Sequence, residues 1–132
     1  MKYWMFALAL VCLLPGPAAF AQETSGVKVE EMVFCTAVQE RSPSGADTAF
    51  ASTVENVCCF VRVTGAVDTT SITHVWYYQD QEMARVELAV KASSWRTWSS
   101  KKILPEWQGL WRVDVLSPAG EVLRSGTFAI KP

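Results

Sequence analysis

Apolar and polar residues alternate along most of this chain, and a period of two points to strands rather than helices. The clearest run is "EMARVELAVK", where Ala84, Val86, Leu88 and Val90 share one face while Arg85, Glu87 and Lys91 share the other. "VENVCCFVRVTG" sets Val57, Cys59, Val61 and Val63 against Cys58, Phe60 and Arg62. "SITHVWYYQD" sets Ile72, His74, Trp76 and Tyr78 against Thr73, Val75 and Tyr77. In "GLWRVDVL", Trp111, Val113 and Val115 oppose Arg112 and Asp114. "GVKVEEMVFCTAVQ", "WRTWSS" and "EVLRSGTFAIK" complete a set of about seven short strands.

Turn residues separate these runs. Pro43 and Gly45 mark "RSPSGADTAF" as a loop, and Ser117-Pro118-Ala119-Gly120 has the residues of a type I turn. Gly126 reads as a bulge, and Pro105-Glu106 makes "SKKILPEWQG" the one place for a helical turn. Seven strands punctuated by turns, with no repeat, predict an all-β fold: an antiparallel immunoglobulin-like β-sandwich. A small β-barrel is the alternative. Trp76, Val86, Leu88, Trp111, Val113 and Val115 are the expected core.

The N-terminus belongs to a different regime. Met1-Lys2, an apolar run from Tyr3 to Leu14, and small residues at Ala19 and Ala21 have the plan of a secretory signal, residues 1–21. Pro15-Gly16-Pro17 ends the run short of the roughly 20 residues a membrane span needs. The expected mature chain is therefore 22–132, one exported domain with no membrane span, periplasmic or extracellular. Without Lys2 it keeps 11 of the 12 basic residues against all 13 acidic ones, a net charge of −2. That balance argues against nucleic acid as a partner.

Three cysteines follow Ala21: Cys35, Cys58 and Cys59. An odd count in an exported chain suggests one disulfide and one thiol. Neighbours on a strand point to opposite faces, which disfavours a Cys58–Cys59 bond and leaves Cys35–Cys59 as the expected pair. The alternative is three small buried apolar residues.

Catalytic constellations are scarce. His74 is the single histidine, no C-x-x-C or H-x-x-x-H spacing occurs, and neither a metal nor another cofactor is expected. Ser99 and Lys102 make an S-x-x-K without its companion motifs, and Asp80, Glu82, Glu87 and Asp114 fall at turns or outward positions. The chain reads as a non-enzyme.

Trp95, Trp98, Trp107 and Trp111 crowd one short stretch. Trp95 and Trp98, three apart, must point to opposite sides of an extended strand. Tyr77, Arg96, Trp98, Lys101 and Trp107 are the candidate patch for an envelope protein or a glycan.

One further observation is a resemblance. His74-x-Trp76-Tyr77-Tyr78, then Met83-Ala84, then Trp95 to Lys101, then Gly109-x-Trp111-x-Val113-x-Val115 before Gly120 closely resemble the bacterial domain-of-unknown-function family numbered 2914. Cys35 and Cys59 also resemble that family's two cysteine positions, with Cys58 as an addition. The resemblance implies a bacterial envelope location and a single β domain, and makes no residue catalytic. The expected function is an exported, non-catalytic interaction module. A carbohydrate-binding module is the alternative, and a thiol redox protein resting on Cys58-Cys59 is a weaker one.

Overall fold

The computed structural model describes residues 26–132, so the expected signal segment and its cleavage near Ala21 lie outside the described residues. The alternating runs become seven long strands: β1 (Lys28–Cys35), β5 (Asn56–Thr64), β6 (Thr70–Tyr78), β7 (Gln81–Val90), β8 (Ser94–Lys102), β9 (Gly109–Leu116) and β10 (Val122–Lys131). Three short strands complete the set: β2 (Ala37–Gln39), β3 (Ser42–Ser44) and β4 (Ala49–Ala51).

One sheet has the order β1-β5-β8 and the other β4-β10-β9-β6-β7, while β2 and β3 form a separate hairpin. The chain crosses between the sheets after β4, β5, β7 and β8, which is the immunoglobulin-like arrangement. All pairings are antiparallel except β4 with β10. The two sheets stay separate and do not close into a barrel.

Inward residues from both sheets make one core. Phe128 sits at its centre, with ring centroids 4.8 Å from Phe34, 6.0 Å from Phe50, 6.1 Å from Trp76 and 5.9 Å from Trp111. Trp76, Trp111, Val113 and Val115 are fully buried there, as their alternation requires. The indole N–H of Trp111 donates to the carbonyl of Trp107 at 3.1 Å, so its one polar atom is satisfied.

Several expectations need correction. Val86 and Leu88 are half-buried rather than core, because β7 is an edge strand. Leu88 still packs against the core, whereas Val86 lies outside the buried cluster. Gly126 is no bulge: it pairs in register with Val113, and the β10 irregularity falls between Val122 and Arg124. Its missing side chain has another cause, since a Cβ there would lie 3.0 Å from Phe34 and 3.1 Å from Met32. The helical turn is a single tight turn, closed by Trp107 N–H donating to the Leu104 carbonyl at 3.0 Å. The "RSPSGADTAF" loop contains β3 and the start of β4.

The cysteine pairing is also corrected. The β1–β5 register sets Phe34 opposite Cys59 and Cys35 opposite Cys58. Phe34 and Cys59 point into the core, while Cys35 and Cys58 belong to a second buried cluster with Phe60, flanked by Val33 and Val38. Cys35 and Cys59 therefore occupy opposite faces of the sheet, and a bond between them would have to pass through it.

That second cluster exists because the β2–β3 hairpin contributes Val38 to the outer face of the small sheet. Its turn residues Glu40 and Arg41 have φ of 50° and 59°, as both central positions of a type I′ turn require. Gln79 and Asp80, at 48° and 65°, repeat this between β6 and β7. Neither turn uses the usual glycine.

Candidate functional site

Strand β8 is the edge of the small sheet, and its two faces have separate duties. Trp95 and Ser99 point inward. Trp95 packs half-buried against the core, and Ser99 is buried between the sheets. Arg96 and Trp98 point outward. Trp98 lies across from Phe60 in the β5–β8 register, the rings are stacked at 6.4 Å and 22°, and 37% of the tryptophan remains exposed. The expected division of Trp95 from Trp98 is thus observed.

The candidate patch does not come together. Tyr77 is on the outer face of the larger sheet, since its neighbour Trp76 points into the core, so it is remote from Trp98 on the opposite outer face. Its ring is capped by Arg112 at 4.3 Å, and Arg112 is in turn held by Asp80 at 2.8 Å and Asp114 at 3.2 Å. Trp107 is met by Lys101, whose ammonium lies 5.1 Å from the ring centroid. Both pairs satisfy themselves. Only Arg96 and Trp98 line a common opening.

That opening is a shallow groove of about 340 Å³ where the β7–β8 corner meets the β2–β3 turn. Arg41, Lys91 and Arg96 supply three cations, and Trp95 and Trp98 supply two indoles. Arg41 reaches in from the hairpin tip, its guanidinium 5.7 Å from the Trp95 ring centroid. None of the three cations makes an ion pair among the described residues, and no acid lines the groove. The volume falls within the range of small-ligand sites, about 300–1,000 Å³. Sequence reasoning missed Arg41 and Lys91 because neither is near Trp98 along the chain, and only the hairpin and the β7–β8 corner bring them there.

The other polar cluster is sealed. His74 Nδ1 and Ser99 Oγ are 2.6 Å apart, and the Trp76 indole N–H donates to the same Ser99 oxygen at 3.1 Å. All three are buried, and His74 Nε2 has no hydrogen-bond partner. Burial pushes the imidazole down from 6.5 to about 4, which keeps it neutral. This cluster links β6 to β8 across the sandwich, as a strand histidine that hydrogen-bonds in place. Ser99 and Lys102 face opposite sides of β8, so the S-x-x-K spacing brings no chemistry together.

The matched part of the chain is its second half. A family model described as "Protein of unknown function (DUF2914)" matches residues 69–130. Those residues belong to the DUF2914 family. The DUF2914 segment runs from β6 through nearly all of β10 and holds the His74–Ser99 link, the Trp76, Trp111 and Phe128 rings of the core, and four of the five groove residues named above. Arg41 and all three described cysteines lie upstream of it, so the implied equivalence of Cys35 and Cys59 falls outside the match. No curated protein matches this chain. Among the described residues no helix is long and apolar enough to cross a membrane.

Proposed function

We propose that this chain is an exported, non-catalytic binding module of the bacterial envelope, and that its groove takes an anionic saccharide. The observation that carries the reading is the groove itself: the outward indole of Trp98, the edge of Trp95 beneath Arg41, three cations without an ion pair among the described residues, and no acid in the lining of about 340 Å³. Indole faces suit the C–H faces of a sugar ring, and guanidinium groups suit carboxylates through paired hydrogen bonds. The small volume favours one or two sugar units over a flat protein surface, which buries far more area. Export rests on the N-terminal pattern of residues 1–21. The non-catalytic character is supported by the position of the single histidine, buried with Ser99 between the sheets and away from the groove.

The test is a titration of intrinsic tryptophan fluorescence with uronate-containing oligosaccharides and their neutral counterparts. The expected result is saturable quenching by the charged sugars, lost in Trp98→Ala and weakened about tenfold or more in Arg96→Ala. Equal response to charged and neutral sugars, or none at millimolar concentration, refutes the saccharide. Capture of an acidic protein that Arg96→Glu abolishes would transfer the groove to a protein partner.

A further inference from the structure

We infer that Cys35 and Cys58 form a cross-strand disulfide when the protein is oxidised, leaving Cys59 as the buried thiol. Register carries the inference. Cys35 and Cys58 are directly opposed on antiparallel β1 and β5, and both point to the outer face, where they pack together with Phe60. Directly opposed antiparallel residues have Cα atoms about 4.5–5.5 Å apart, within the span a disulfide bridges. Cys59 faces the other way, surrounded by Phe34, Val57 and Val61 on the core side.

The two thiols are neighbours: burial raises the Cys58 pKa, and the adjacent Cys35 thiol offsets part of that rise. Burial, then the neighbouring Cys58 charge, pushes Cys35 up to about 11. The bond forms in two exchanges, with Cys58 as the first nucleophile. Its thiolate attacks a low-molecular-weight disulfide such as oxidised glutathione, forming a mixed disulfide and releasing one small thiol. The Cys35 thiolate then attacks the Cys58 sulfur, and the second small thiol leaves. Two protein thiols become one disulfide, and the reagent takes up the two electrons and two protons.

Both cysteines are buried, and Val38 of the hairpin packs against the cluster they form with Phe60, so exchange in the folded protein requires that hairpin to lift. The bond therefore forms most readily before the hairpin closes. Once formed it ties the strand leading into β2 to the centre of the small sheet, and it constrains the unfolded chain by closing the segment between the two cysteines.

The protein carrying Cys12→Ser is refolded with oxidised and reduced glutathione, denatured without reductant, alkylated and analysed by fragment mass spectrometry. The expected product has one alkylated cysteine, Cys59, and a bridge that persists in Cys59→Ser. Cys58→Ser and Cys35→Ser should lose the bridge, and the oxidised protein should melt roughly 10 °C or more above its reduced form. Three alkylated cysteines after refolding overturn the inference. So does a bridge that survives Cys58→Ser and disappears in Cys59→Ser. The readout is independent of ligand binding, so failure of the saccharide reading leaves it standing.

Discussion

Acidification should destabilise this protein through one identifiable side chain. His74 is fully buried, with Nδ1 against Ser99 Oγ at 2.6 Å and Nε2 facing no partner. The neutral ring tolerates this arrangement. The imidazolium does not, because it must desolvate a charge and leave an N–H donor unsatisfied. Its pKa accordingly falls from 6.5 to about 4 on folding. The unfolded chain thus binds the proton first as pH drops, and stability declines with it. The contribution is complete above pH 6.5, diminishes as pH falls from there to about 4, and changes no further below that. At 1.36 kcal/mol per tenfold change, that window amounts to about 3 kcal/mol, a large share of the 5–15 kcal/mol typical of a domain. Urea denaturation followed by tryptophan fluorescence, at intervals from pH 7.5 to 4, measures it for the native sequence and His74→Asn. The chain has no other histidine, so the difference between the two curves isolates this residue. The slope of that difference should approach 1.4 kcal/mol per pH unit near pH 5. A difference flat to within about 0.5 kcal/mol, or an imidazole that titrates in the native state near its ordinary value, would refute the argument.

Three other substitutions test the packing and the backbone. Phe128→Ala should cost about 3–5 kcal/mol in chemical denaturation, because Phe128 contacts four aromatic rings, whereas Val86→Ala on edge strand β7 should cost less than about 1.5. Gly65→Ala should cost at least about 2 kcal/mol: Gly65 has φ of 85°, and a Cβ would collide with the Gly26 carbonyl oxygen. Gln79→Gly should gain up to about 1 kcal/mol in the same assay, since Gln79 holds φ of 48° in a turn that favours glycine.

The seven long strands were legible because each has one buried face, and a period of two is hard to mistake when polar residues occupy the other. Trp76, Trp111, Val113 and Val115 were found on that ground. Phe128 was not singled out, because "RSGTFAIK" gives it little apolar company along its own strand, and its partners come from β1, β4, β6 and β9. Val86 and Leu88 showed the cleanest alternation of all, yet alternation reports which face a residue takes and not whether its strand is central or at an edge. The β2–β3 hairpin was hidden for a chemical reason: Glu40-Arg41 carries none of the Asn-Gly signal by which a type I′ turn is recognised.

That hairpin also explains the remaining error and the site. Where one face of a strand meets water, polar residues reveal parity. Around Cys35, by contrast, "MVFC" is apolar on both faces because β2 and β3 cover the outer one. With no polar residue to mark direction, nothing in the sequence said whether Cys35 shared a face with Cys58 or Cys59. The β1–β5 connection, interrupted by β2 to β4, is too long to fix register as a tight hairpin would. The covering element that erased this signal ends in Arg41, which it delivers to the Trp95 ring on strand β8. A groove assembled from β7, β8 and a separate hairpin is a property of the folded surface, and its residues share no spacing along the chain that could have announced it.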